Sequence, residues 1–264
     1  VAAYLAQQML EEAAPKVITT LHGTDTTLLG KDPNYQPVIR HAIEHSAGVT
    51  AVSRYLREET LTAFGVGRDI RVIHNFFVPT SPTRTRRQVR DELGFGDEFV
   101  VIHMSNLRPG KRIQDLLRVI AASRHRDRIR LLILAGGEFA PYRPLVEALG
   151  IEPRVTVLTS VPDIENYLGA ADVGLYTSDH ESFGLSILES MFHRLPVLAT
   201  RAGGVPEVVA DGETGFLLPV GDIDGFAARL DAVVEDPDRS RVMGEKGDER
   251  ARALFSADRI VGEY

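Results

Sequence analysis

The stretch Asp172-Val173-Gly174-Leu175-Tyr176-Thr177-Ser178-Asp179-His180-Glu181-Ser182-Phe183-Gly184-Leu185-Ser186-Ile187-Leu188-Glu189 decides how the chain is read. Asp172 to Thr177 has the composition of a short buried strand, and Leu185 to Arg194 has the apolar spacing of a helix packed on a sheet. Glu181 then stands at the carboxyl end of a strand, in the crevice where open α/β sheets bind their ligands. Gly184 lets a ligand approach the free N–H groups that open the helix, and those groups favour an anion. Glu189 follows on a turn that can face the same crevice. Two carboxylates flanking an anion-binding helix start suit a ligand with both phosphate and hydroxyls, such as a nucleotide sugar.

Strand and helix alternate outward from this stretch in both directions. Downstream of residue 81 the expected strands are Phe99 to Met104, Ile129 to Ala135, Val155 to Leu158, Asp172 to Thr177, Pro196 to Thr200 and Gly215 to Pro219. They are short apolar runs, as in a parallel sheet covered on both faces. Helices fall between them, with Ile113 to Ser123 the most clearly amphipathic. About 150 residues of this kind make a complete doubly wound domain. Upstream, Val17 to Leu21, Gly48 to Val52 and Ile70 to Ile73 read as strands. Gln36 to His45 and Ser53 to Phe64 read as helices, the second capped by Ser53. That is too little for an independent Rossmann sheet, so its remaining strands are expected before Val1. The chain opens inside what reads as a helix, Ala2 to Glu12, and stops inside another, as a piece of a longer protein would. The segment Asn75 to Thr83 is rich in Pro, Ser and Thr and leads into Arg84, Arg86 and Arg87. It is the best linker candidate, and it divides the chain at residues 1–80 and 81–264. A long surface loop within one domain is the alternative.

Composition narrows the function classes. The 264 residues carry no Cys, which excludes disulfides, thiolate catalysis and Cys-ligated zinc, and fits a cytoplasmic location. A net charge of −7 argues against a protein that coats nucleic acid, so any anion must be held locally. No apolar run is long enough to cross a bilayer. A homo-oligomer remains open.

Other segments could carry chemistry. Asn106-Leu107-Arg108-Pro109-Gly110-Lys111-Arg112 follows the first strand of the second series and opens a helix. Its cations and Gly110 suit a diphosphate, although the spacing is not that of a Walker loop, and a solvated basic loop is the plain alternative. His22-Gly23-Thr24-Asp25 ends the first strand and could meet a sugar, or simply cap a helix. Gly203-Gly204-Val205-Pro206-Glu207 reads most simply as a turn after a strand. His41-Ala42-Ile43-Glu44-His45 has the H-x-x-E-H spacing of one zinc peptidase class, without an evident third ligand. His103 and His125 read as core or surface residues.

Together the E-x7-E pattern from Glu181 to Glu189, the Gly203-to-Glu207 turn, Leu21-His22-Gly23-Thr24-Asp25, Gly48-Val49-Thr50-Ala51-Val52-Ser53 and Ser105-to-Arg112 resemble the GT-B retaining glycosyltransferases of family 4. The resemblance covers nearly the whole chain. It implies an α/β fold of GT-B type, with one complete Rossmann-like nucleotide-sugar domain and a truncated N-terminal Rossmann-like domain. Within the family, the flanking segments are similar to those of enzymes that move GlcNAc from UDP-GlcNAc to L-malate as the first step of bacillithiol synthesis. By the same resemblance, Glu189 would bond the ribose and Glu181 the donor sugar. N–H groups from Phe183, Gly184 and Leu185 would hold phosphate and sugar. Asn106, Arg108 and Lys111 would meet the diphosphate, and His22 the donor sugar. Thr24 and Arg40 would face the acceptor. His22, Lys111 and Glu181 would be the catalytic set, with no cofactor and no metal required. Two positions depart from the family pattern. Asn106 stands where many members have Arg, and Ala135-Gly136-Gly137-Glu138-Phe139 stands where a G-D-G-P turn is common. Two alternatives are a piece that binds the nucleotide without transfer, and a transferase that uses inositol phosphate, another sugar or a lipid as acceptor.

Overall fold

The computed structural model describes residues 6–7, 9–10, 14–23, 30 and 32–264. Most of the helix expected over Ala2 to Glu12 lies outside these residues, as do Thr24 and Asp25. The first strands are β1 (Ile18–Leu21), β2 (Gly48–Ala51) and β3 (Arg71–Val72), and they form a parallel sheet in the order β1-β2-β3. Helices α1 (Gln36–His45) and α2 (Arg54–Phe64) connect them. Ser53 caps α2 as expected, its hydroxyl accepting from Leu56 N, and Gly65 ends the helix in the left-handed conformation.

The second sheet is built from β4 (Phe99–Ser105), β5 (Ile129–Ala135), β6 (Val155–Thr159), β7 (Val173–Tyr176), β8 (Val197–Thr200) and β9 (Gly215–Leu218). All neighbours are parallel, in the order β6-β5-β4-β7-β8-β9. Taken in chain order within this sheet, that is the 3-2-1-4-5-6 arrangement of a doubly wound nucleotide-binding fold. Its helices are α3 (Arg86–Glu92), α4 (Ile113–Ala122), α5 (Arg143–Leu149), α6 (Ile164–Ala170), α7 (Leu185–Phe192), α8 (Val205–Val208), α9 (Ile223–Glu235), α10 (Pro237–Phe255) and α11 (Ala257–Val261). The centre strands are apolar on both faces because both are covered. On one face Val101, Leu131 and Ile133 pack with Leu116 and Ile120 of α4 and Phe226 and Leu230 of α9. On the other, Val100, Ile102 and Leu132 pack with Leu168 of α6.

A further apolar cluster joins the two sheets. Leu21, Ile43, Val49 and Leu56 pack with Phe183, Ile187, Val205 and Phe255. The linker candidate crosses this seam as a fastened strap. Phe77 pairs with Ser256 by a single bridge, and its ring lies against Phe192. At its far end, the N–H groups of Thr83 and Arg84 both donate to the buried Asn166 side chain at 2.9 Å. Thr85 and Gln88 then start α3 with a reciprocal capping box.

Candidate active site

β4 and β7 pair only at Val101↔Val173 and Ile102↔Gly174, then diverge. This is the point where the strand order reverses, and the crevice beyond the carboxyl ends of two such strands is open to a ligand. The loops that leave the two strands line a cleft of about 1200 Å³. It takes in Asn106, Arg108 and Lys111 from one loop and Ser178 to Gly184 from the other, with His22 and Asn75 from the N-terminal part.

The two loops form one body. Asp179 N donates to Gly110 O at 2.9 Å. Thr177 Oγ1 lies 3.1 Å from both Lys111 O and Arg112 O. Lys111 Nζ donates to Glu181 Oε1, which also accepts from Ser178 Oγ at 2.8 Å. Arg112 turns away and is taken up by Asp115 at 2.6 Å. Arg108 is exposed and has no ion-pair partner among the described residues, so its charge is available to an anion.

Gly184 has φ +100°, which a residue with a side chain adopts only under strain, and it opens α7 with no side-chain cap among the described residues. The first N–H groups of α7 are therefore left for a ligand. Phe183 contributes backbone only: its ring is buried against His74 and Phe255 at centroid distances of 5.8 and 5.4 Å. Leu185 is exposed at the helix start, and Glu189 lies one turn further along the same helix face. The Glu189 carboxyl is half-buried and has no hydrogen-bond partner among the described residues. Burial, reinforced by the nearby Glu165 carboxylate, pushes it up to about 7.

The N-terminal part reaches this site by close backbone contact. Gly23 has φ +119°, and a Cβ there would fall 1.7 Å from Ser182 Oγ, so only Gly brings the His22 turn against this loop. Ser53 Oγ donates to Ser182 O at 2.6 Å while it caps α2. From the other side, a Cβ on Gly203 would fall 1.9 Å from Glu181 O, and Gly204 N donates to that oxygen at 2.8 Å.

Sequence reasoning missed Glu207. Its carboxylate accepts from Arg54 N and Tyr55 N, both at 3.0 Å, and from His74 Nε2 at 3.1 Å. Burial alone would raise this group, but the bonds from His74 and the two N–H groups outweigh it and hold the carboxyl below its ordinary value. Glu207 thus caps α2 from across the seam. Its signal in the sequence was its place at the end of the Gly203-to-Glu207 turn, which carried no role for the carboxylate.

Not every expected site residue comes together. His22, Asn106, Arg108, Lys111, Glu181, Phe183, Gly184 and Leu185 line the cleft. Glu189 stands beside it, and Thr24 lies outside the described residues. Arg40 does not line it: its guanidinium pairs with Glu44 at 2.8 Å on exposed α1. In the H-x-x-E-H segment, a His45 ring nitrogen lies 2.8 Å from His41 O, and Arg40 occupies Glu44. Gly136 and Gly137 pack against the Asn106 loop: Gly136 N donates to Ser105 O, and a Cβ on Gly137 would fall 2.6 Å from Asn106 O.

Residues 85–250 match the glycosyl transferases group 1, and residues 1–81 match glycosyltransferase family 4. The chain is a GT-B glycosyltransferase of family 4. As such it is an enzyme that transfers a sugar from a nucleotide sugar. It is 39% identical to the N-acetyl-alpha-D-glucosaminyl L-malate synthase of Bacillus anthracis, over 100% of this chain and 70% of that enzyme. It is 35% identical to the D-inositol 3-phosphate glycosyltransferase of Corynebacterium glutamicum, over 65% of this chain and 44% of that enzyme. Anabaena HepE, crystallised with UDP and glucose, superposes with a TM-score of 0.89 at 25% identity, over 99% of this chain and 73% of that one. Among the described residues, no helix of this glycosyltransferase is long and apolar enough to cross a membrane.

Proposed function

We propose that this glycosyltransferase moves GlcNAc from UDP-GlcNAc to the hydroxyl of L-malate with retention, the first step of bacillithiol synthesis. One observation carries the choice of acceptor. The likeness to the malate enzyme extends over 100% of the chain, whereas that to the inositol phosphate enzyme covers 65% of it. Residues 81–264 would hold the donor and residues 1–80 would face the acceptor.

The cleft supplies what the donor half of such a reaction needs. Breaking the glycosidic bond leaves negative charge on UDP. Lys111, Arg108 and the open N–H groups at Gly184 and Leu185 would face that charge as it develops, and such groups stabilise the transition state more than the ground state. Lys111 is paired with Glu181 in the free protein. On binding, the ammonium turns to the diphosphate and the carboxylate is released to the sugar hydroxyls. Glu189, with no donor among the described residues, would take the ribose hydroxyls. Asn106 would line the diphosphate side and His22 the sugar. Thr24, by resemblance alone, would face the acceptor, while Arg40 would have to leave Glu44 to reach a malate carboxylate. The two glutamates position the donor and do not attack it, so they are not the acid and nucleophile of a glycosidase pair.

The test is turnover with UDP-GlcNAc and an acceptor panel. UDP release that depends on L-malate, with an α-linked product, is expected. Release with inositol phosphate or another sugar in place of malate would overturn the acceptor. Tight UDP binding with no transfer to any acceptor would favour a nucleotide-binding piece.

A further inference from the structure

His103 is fully buried on β4, where an apolar side chain would pack at less cost. It stands where β4 and β7 separate. The ladder between them ends at Ile102↔Gly174, and the next carbonyl on β7, Leu175 O, meets His103 Nδ1 at 2.8 Å. With Nδ1–H donating there, Nε2 accepts, and it lies 2.9 Å from Ser105 Oγ. The hydroxyl proton of Ser105 is thereby committed to the ring, and its oxygen accepts from Leu107 N at 3.2 Å. Leu107 has φ +53°, a left-handed conformation that costs a residue with a side chain about 1 kcal/mol or more. Tyr142 Oη holds the same residue from the other side by donating to Leu107 O at 3.0 Å. The turn at Leu107 sets the direction of the chain between Asn106 and Arg108. Burial, the dominant effect, and the Lys111 charge together pull His103 down to about 4, so the ring is neutral at neutral pH.

We infer that His103 and Ser105 are positioning residues: the imidazole wedges β4 from β7 and, through Ser105, holds the Leu107 turn that presents Asn106, Arg108 and Lys111 to the donor diphosphate. This rests on the reading of that loop as the diphosphate site. Neither residue touches the diphosphate through its side chain. Their effect is on where the cations and the Asn106 amide stand.

Ser105→Ala cuts the relay with the loss of one hydroxyl. His103→Asn keeps an amide nitrogen near the place of Nδ1, and so the bond to Leu175 O, but removes the acceptor for Ser105. Each variant is expected to raise the donor KM and the Kd for UDP about tenfold, the size expected for one buried hydrogen bond. The acceptor KM should not change, a split that general loosening of the fold would not produce. The double variant should be no worse than either single one, because both cut the same chain of bonds. Ser105→Ala with unchanged UDP affinity and donor KM overturns the inference, whether or not His103→Asn folds. Lys111→Ala in the same assay tells this apart from a wrong site. If Lys111→Ala loses turnover and Ser105→Ala is unaffected, only the relay is wrong. If Lys111→Ala also behaves as wild type, the diphosphate reading itself falls.

Discussion

Where the E-x7-E motif begins, the Glu181 carboxylate is held by the Lys111 ammonium and the Ser178 hydroxyl, on a loop bonded to three other segments. Where it ends, on α7, the Glu189 carboxyl has burial and a like charge for company and no donor among the described residues. The loop is bonded directly to the β4 side of the cleft. The helix is not, and Ile187, Leu188 and Met191 are committed to the core and fix which way Glu189 points. Two identical residues in one motif thus stand in different surroundings. On the proposed reading, Glu181 would give up a partner to the donor and Glu189 would gain one.

The largest test of that contrast removes the partner. Lys111→Ala is expected to lower turnover about 100- to 1000-fold, the loss typical when one fixed donor to a developing anion is deleted. Donor affinity should fall much less, because the free Glu181 no longer has to be released from its ion pair. Equal losses in binding and turnover, measured by calorimetry beside steady-state kinetics, would contradict the role given to Lys111.

Glu189 should respond to pH where Glu181 responds to Lys111. Its folded value of about 7 lies above the ordinary 4.5. Such a carboxyl contributes stability that is full below 4.5 and is lost as pH rises toward 7. Glu189→Gln should therefore raise the melting temperature of the free protein at pH 8 and leave it unchanged near pH 4. Hydroxyls of a bound ribose would favour the carboxylate, so wild-type affinity for a UDP-sugar should weaken as pH falls through 7. The Gln variant should bind about tenfold more weakly at pH 8, the worth of a hydrogen bond to a charged acceptor, with no pH dependence across that range. A wild-type affinity that stays flat from pH 6 to pH 8 would remove Glu189 from the donor site.

The contrast itself is only partly legible in the sequence. Gln36–His45 and Ile129–Ala135 have the limits their patterns predict, because apolar runs bounded by turn residues define them locally. The expected strand Ile70 to Ile73 shrinks to Arg71–Val72, and Ile73 N still donates to Ala51 O. Glu181, Lys111 and Gly184 can be placed at carboxyl edges from spacing alone. That Lys111 meets Glu181 across 70 residues, or Tyr55 N meets Glu207 across 152, depends on which strands become neighbours, and no local pattern carries that. The Gly203-Gly204 pair reads as an ordinary turn until the Glu181 carbonyl is placed against it. Arg40 is the opposite case. Glu44 follows it by four residues, the spacing at which helix neighbours pair, so its local partner is written in the sequence itself.

The smallest expected effect tests whether the Glu181 end is held from across the seam. Glu207→Gln keeps the size of the side chain but removes the charge that takes Arg54 N, Tyr55 N and His74. Losing a charged helix cap costs about 1–2 kcal/mol, so the melting temperature should drop by a few degrees. Gly204 N would still reach Glu181 O, but one amide oxygen in place of the carboxylate would tie α8 to the start of α2 more weakly beside it. Turnover should fall a few-fold with a donor KM raised no more than that, since Glu181 and Ser182 are loosened and the α7 helix is not. The pH dependence assigned to Glu189 should survive intact. If Glu207→Gln abolishes that dependence while sparing turnover, the seam acts through the helix, and the division between the two ends of the motif is drawn in the wrong place.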